Sequence, residues 1–297
     1  MPKSLKLHYF IRIILALILV FFIYTFVPHK TVRYAVFAGY NPNGTIEPYI
    51  ITYLKGLNEV TNGIVYIADS PLKKGEEKKL KDINILFSLH TPHGEYDWGS
   101  YKRGLYWLNK NKYLSHADEL IFANDSTYAP INSFKEMFKT MDKQKDLDFW
   151  GNTQNHHFHP HLQSYFLVFR KNVFNSKSFQ HFMNSVRHQI DNSLYILEYE
   201  LNLTPLLSDL GYKWNSYIPY HKLKYLPIQD KNSYPLTLIQ KHHNQFLKRR
   251  TFTEKLMITE NIDELLEYLK QNHPKTYQDI LSANHPRLEY LKTPNKD

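Results

Sequence analysis

The 297-residue chain contains no cysteine. A disulfide scaffold, a thiolate nucleophile and any zinc or iron–sulfur centre held by cysteine are therefore excluded. It also lacks an internal repeat and a long Gly/Ser linker, which removes solenoids and strings of tethered modules. Neither a Rossmann nor a Walker glycine spacing occurs. Acidic residues are missing from the first 30 positions, where Lys3, Lys6, Arg12 and Lys30 stand unopposed.

What is present describes a folded protein. Hydrophobic residues make up 42% and charged residues 22%, with 23 Tyr and 18 Phe, a mixture too apolar for wholesale disorder. The formal charge of +9 raises the question of a polyanionic partner, either nucleic acid, anionic lipid or phosphates. Taking the four N-terminal cations away leaves +5 for residues 31–297, scattered and not striped, and a nucleic-acid partner loses its support.

Ile13 to Val27 is uncharged, and the run back to Tyr9 is broken only by Arg12. At ~1.5 Å per residue a helix over 9–27 approaches the ~30 Å hydrocarbon core of a bilayer. Arg12 lies near one end, where it can snorkel, and Tyr9 and Tyr24 suit the headgroup region. Pro28-His29-Lys30 follows with no small-x-small cleavage site, so a retained membrane anchor over residues 1–30 is expected in place of a signal peptide.

Beyond Arg33, short apolar runs alternate with amphipathic stretches. Strands are predicted over 34–38, 64–68, 83–89, 119–123, 148–151 and 165–170. Helices are predicted where Ile46, Ile50, Leu54 and Leu57 recur, at Tyr101, Leu105 and Leu108, and along Phe179, Phe182, Val186 and Ile190. The tail past Pro219 is strand-poor and carries a helix near Ile262 to Leu269, with Asn261 and Glu264 placed as a capping box. Alternation of this kind implies an α/β sandwich with a mostly parallel central sheet and binding loops at the carboxyl ends of its strands.

Three segments place polar groups at the ends of apolar runs. Asn124-Asp125-Ser126 can bind a ribose or a metal–diphosphate, and equally suits an Asx turn closing a strand. Gly94 to Leu105 (GEYDWGSYKRGL) offers glycines and a helix start near Ser100 for a phosphate, or simply a capped helix. Glu200, ahead of Leu201 and Gly211-Tyr212, is expected at or just before a helix start, where the dipole favours a carboxylate able to act as a base, or simply an exposed helix-start acid. His156, His157, His159 and His161, with His90 and His93, invite a metallohydrolase reading. No carboxylate lies in that run, and loop histidines making ordinary hydrogen bonds fit it better.

In order along the chain, GEYDWGSYKRGL at 94–105, LIFANDSTYAP at 120–130, DFWG at 148–151 and HLQSYFLVFR at 161–170 resemble the rhamnan synthesis protein F family of bacterial polysaccharide glycosyltransferases. Weaker echoes are Tyr34 to Tyr40, Tyr199-Glu200 and Phe246-Leu247-Lys248-Arg249, so the likeness spans roughly 33–255. The resemblance implies a GT-A-like transferase domain over 31–220 with a helical extension over 221–297. It implies donor binding by Asp69, Asp97, Asn124, Asp125 and Ser126, with Gln163, Ser164 and His161 in the donor or acceptor cleft. Asn124-Asp125-Ser126 takes the place of an Asp-x-Asp turn with one carboxylate where two are usual, so Asp125 alone is left to hold Mg²⁺ or Mn²⁺. Glu200 resembles the catalytic base of inverting relatives. The implied partners are a nucleotide-sugar donor and a lipid-linked glycan acceptor, at the bacterial inner membrane with the catalytic domain cytoplasmic. A non-catalytic glycan- or nucleotide-sugar-binding protein on a degenerate transferase fold is the alternative.

Overall fold

The computed structural model describes residues 12–15, 30–228, 230–253, 258–283, 285 and 288. The chain divides into two compact units, Met1–Thr31 and Val32–Asp297. In the first, residues 12–15 are helical, with Ile13, Ile14 and Leu15 exposed. The rest of the span expected at 9–27 lies outside the described residues, and among those described no helix is long and apolar enough to cross a membrane.

The second unit is built on one sheet. Its first strands are β1 (Arg33–Gly39), β2 (Gly63–Ala68), β3 (Ile85–His90) and β4 (Glu119–Asn124), followed by β5 (Thr127–Tyr128) and β6 (Phe149–Asn155). Then come β7 (His161–Leu162), β8 (Phe166–Arg170), β9 (Trp214–Ile218) and β10 (Leu247–Lys248). The order is β3-β2-β1-β4-β8-β6-β7, with β9 also on β6, while β10 and β5 form a separate ribbon. β3, β2, β1 and β4 are parallel; β8 runs against both β4 and β6, and β9 lies parallel to β6. The expected mostly parallel sheet is present, with an antiparallel β8 at its centre.

Parallel strands are covered on both faces and so read as continuous apolar runs. Ala35, Val36, Phe37 and Ala38 of β1 are all fully buried. One face packs α1 (Pro48–Asn58); the other packs α2 (Tyr96–Lys110), where the Tyr101 ring stacks 4.5 Å from that of Phe122 on β4. α3 (Phe134–Met141) joins α1, putting Phe134 and Phe138 against Trp150 and Phe166. α4 (Lys177–Asn184) and α5 (Leu201–Asp209) join α2 through Phe179, Met183 and Leu207. In the tail, α6 (Pro235–His242) precedes β10, and α7 (Ile262–Asn272) and α8 (Pro274–Ser282) bury Leu265, Leu269 and Ile280 in the α1 face.

The helix expected to run through Val186 and Ile190 stops at Asn184. The Ser185 hydroxyl donates to the Phe182 carbonyl and closes the last turn, Val186 is buried beyond it, and Ile190 is 95% exposed.

Candidate active site

β2 and β3 lie on one side of β1 and β4 on the other, so the sheet order reverses between β1 and β4. A crevice opens outside the carboxyl ends of strands at such a switch point. Asp125, just past β4, ties the end of that strand to the end of β1. Its N–H donates to the Ala38 carbonyl at 3.1 Å, and its Oδ2 accepts the Tyr40 N–H at 2.8 Å. Asn124 makes the Asx turn, its Oδ1 accepting from the Ser126 N–H at 3.1 Å and Oγ at 2.6 Å. Its Nδ2 still faces the crevice and donates to Asp97 Oδ2 at 2.5 Å. The two readings of this segment are thus compatible.

Asp97 sits in the first turn of α2. That helix begins at Tyr96, a turn earlier than expected, and Ser100 is buried inside it with Oγ 3.0 Å from His93 Nε2. Tyr96 itself has φ 51°, a strained value for a bulky residue and one that turns up where a backbone is held for function. Burial pushes the Asp97 carboxyl up to about 7, with Asp125 and Glu200 adding to the effect and Lys248 and Asn124 opposing it. Asp125 is pushed up to about 6, again by burial first, against Arg249 and its bond from Tyr40.

Glu200 stands immediately before α5, as expected, but the chain is already helical there. It ends a wide π turn, Ile196–Glu200, inserted between the helical turn Asn192–Tyr195 and α5, so the N-terminal dipole lies two turns away. Such turns are rare and cluster at functional positions. What fixes its carboxylate is Ser164, whose N–H (3.0 Å) and Oγ both donate to Oε2. Ser164 is held in turn by Tyr101, whose hydroxyl donates to its carbonyl at 3.0 Å. Gln163 is anchored by the Thr153 hydroxyl and the Asn232 amide, which donate to its Oε1 at 2.7 and 3.2 Å.

Asp97, Asn124, Ser126, Gln163, Ser164 and Glu200 line one cavity of about 360 Å³, within the size range of small-molecule sites. Tyr96, Trp98, Tyr165, Tyr195 and Ile196 supply its apolar walls. Lys248, Arg249 and Arg250 complete it, the first two marked in the sequence only by a weak family echo and Arg250 by none. They reach the cleft because β10 pairs with β5, which places Arg249 so that its N–H donates to the Ser126 carbonyl at 2.9 Å. Lys248 Nζ lies 3.7 Å over the Tyr165 ring and Arg249 Cζ lies 4.4 Å over that of Tyr49. Burial pulls Lys248 down to about 7, reinforced by Arg250 and opposed by Glu200, Asp230 and Asp97.

Three expected donor or cleft residues do not line the cavity: Asp125, whose carboxylate turns to the Tyr40 N–H, Asp69 and His161. Asp69 accepts the His93 and Gly94 N–H groups at 2.5 and 2.9 Å, anchoring the loop ahead of α2. His161 is buried on β7, its Nδ1 2.8 Å from the His159 carbonyl, and burial lowers its pKa. Nor do the residues fit a divalent ion at Asp125. Its Oδ2 is committed to Tyr40, Asn124 presents a donor to Asp97, and cations flank the turn; among the described residues no three His, Asp or Glu side chains gather as ligands.

A two-faced α/β domain with a small-molecule cleft of mixed charge at its sheet's switch point is the class these observations define. The chain belongs to the rhamnan synthesis protein F family, which it matches over residues 64–295. It is 31% identical over 132 residues to "virulence protein VirA" of Vibrio anguillarum, covering 43% of this chain and 41% of that one. It is 25% identical over 194 residues to an uncharacterized protein, y4gN, of Sinorhizobium fredii, covering 64% and 50%. The chain thus spans half or less of these curated relatives. Among solved structures it is similar to a 4-diphosphocytidyl-2C-methyl-D-erythritol synthase from Anaerococcus prevotii, with TM-score 0.38 and 12% identity over 62% of this chain and 87% of that one. It is also similar to core-mannan synthase A from Aspergillus fumigatus in its Mn/GDP form, with TM-score 0.35 and 10% identity over 53% and 64%.

Proposed function

We propose that this protein is an inverting glycosyltransferase that moves a sugar, rhamnose or another hexose, from a nucleotide-sugar donor to a growing cell-surface polysaccharide or lipopolysaccharide. Family membership supports the reaction class. The observation that carries the mechanism is Glu200, a carboxylate on the cleft wall with one oxygen held by both donors of Ser164. A base needs such fixed orientation within reach of the proton it removes. In the proposed step Glu200 takes the proton of an acceptor hydroxyl. That oxygen bonds to the anomeric carbon as the bond from that carbon to the nucleoside diphosphate breaks. Asp97, Asn124 and Ser126 lie on the donor side, and Tyr96, Trp98 and Tyr195 offer faces for sugar or base.

The donor is made in the cytoplasm, which is where this reading puts the Val32–Asp297 unit. Residues 9–27 would tether it to the bacterial inner membrane, the surface that holds a lipid-linked acceptor.

A panel of nucleotide sugars, assayed for release of nucleoside diphosphate, tests the reading. At least one donor should be turned over, and Glu200→Gln should lower kcat by ~10²–10⁴-fold while thermal unfolding stays unchanged. Full activity in Glu200→Gln would remove the base assignment. Donor binding without turnover across the panel would make the chain a nucleotide-sugar-binding protein on a transferase fold.

A further inference from the structure

Lys248 and Arg249 feel carboxylates only at a distance, Glu200, Asp230 and Asp97 acting on the first and Asp125 on the second. Arg250, the next residue, is paired with Asp230 at 2.5 Å, whereas among the described residues neither Lys248 nor Arg249 forms an ion pair. The Nε of Arg249 is buried with no hydrogen-bond partner. Tyrosine faces beneath both cations recover part of the cost of desolvating them, but a cation taken out of water without a directly paired anion is poorly compensated. This wall of the cleft is therefore suited to receive an anion.

Its location specifies which anion. The Ser126 carbonyl accepts the Arg249 N–H, and β10 pairs with Thr127–Tyr128, so the two cations are fixed beside the Asn124–Ser126 turn. In the nucleotide-sugar reading, on which this inference rests, that turn faces the diphosphate. One oxygen of the acid that would carry a metal there accepts the Tyr40 N–H, and Arg249 acts on the same carboxylate. We infer that Lys248 and Arg249 replace a divalent cation in this protein, holding the donor's diphosphate and neutralising it as it leaves, so that nucleotide binding is independent of metal. Arg249 can fork onto two phosphate oxygens, while Lys248 acts as a point charge.

Calorimetric titration of the full chain with UDP, GDP, CDP and dTDP, in EDTA and again in Mg²⁺ or Mn²⁺, tests this directly. At least one of the four should bind in EDTA, with affinity changing less than ~3-fold when metal is added. Lys248→Met and Arg249→Met should each weaken that binding by ~30-fold or more, the scale for removing a desolvated charged partner. Arg249→Lys, which keeps the charge and loses the fork, should fall between, and circular dichroism should report the wild-type fold in all three. Binding that appears only with metal would overturn the inference. So would wild-type affinity in Lys248→Met and Arg249→Met, or no binding of any of the four. The transferase reading fails separately: metal-free binding with no sugar turnover would leave the anion site standing and remove the reaction. Turnover that depends on Glu200 but requires Mn²⁺ would do the reverse.

Discussion

Asp97 shows at the residue scale how the cleft trades stability for charge. Its carboxyl is held up to about 7 in the fold, mainly by burial, against an ordinary value of 3.8. Between those two pH values the folded chain keeps a proton that the unfolded chain has released. The stability tied to that proton is present at low pH and is lost as pH rises from ~4 to ~7. Asp97→Asn, which cannot ionise, should therefore raise Tm by ~2–4 °C at pH 8, and the gain should shrink toward zero near pH 4. Differential scanning calorimetry at the two pH values checks this; a gain of equal size at both would rule out ionisation as its source. Diphosphate release should fall in the same variant, because stabilising a functional position commonly costs activity.

Elements bring these residues to one place, and α2 shows how narrow the tolerance is. At Gly104 it presses on β1 so closely that an added Cβ would come 2.3 Å from Val36 Cγ1. Alanine in place of a helical glycine ordinarily gains ~1 kcal/mol. Here the neighbour is β-branched, stiff at χ1 and fully buried, so the clash outweighs the propensity. Gly104→Ala should destabilise the fold by ~1–2 kcal/mol in urea unfolding, within the range for overpacked cores. Val36→Ala in the same chain should recover part of that loss, and greater stability in the single variant would refute the packing argument. These same elements were legible in the sequence because β1, β2 and β4 are buried on both faces and read as unbroken apolar runs. The ends of α2 and α4 were not legible, since Tyr96 starts its helix from a strained φ and Ser185 stops one where apolar spacing continues. Asp97, Asn124, Ser126, Gln163, Ser164 and Glu200 were within reach because each sits in a motif beside a strand or helix that can be recognised. Lys248 and Arg249 were not, because a two-residue strand has no periodicity and its pairing with β5 links segments far apart in the chain.

Over the whole molecule, the +9 charge includes two groups of cations: four lie within or beside residues 9–27, and three line the cleft. If the first unit is a tether only, a chain beginning at Val32 should unfold within ~2 °C of the full protein and turn over soluble donor alike. It should no longer co-sediment with anionic vesicles, to which flanking Lys and Arg contribute ~1 kcal/mol each. A large fall in Tm would show instead that residues 1–31 support the fold. The late arrival of β10 also gives synthesis an order. A ribosome-bound chain stopped before Leu247 has Asp97, Asp125 and Glu200 already encoded, but none of the cations that offset them. Under the proposed reading, a chain cut before Leu247 has a cleft without Lys248, Arg249 and Arg250 and should not hold an anionic donor.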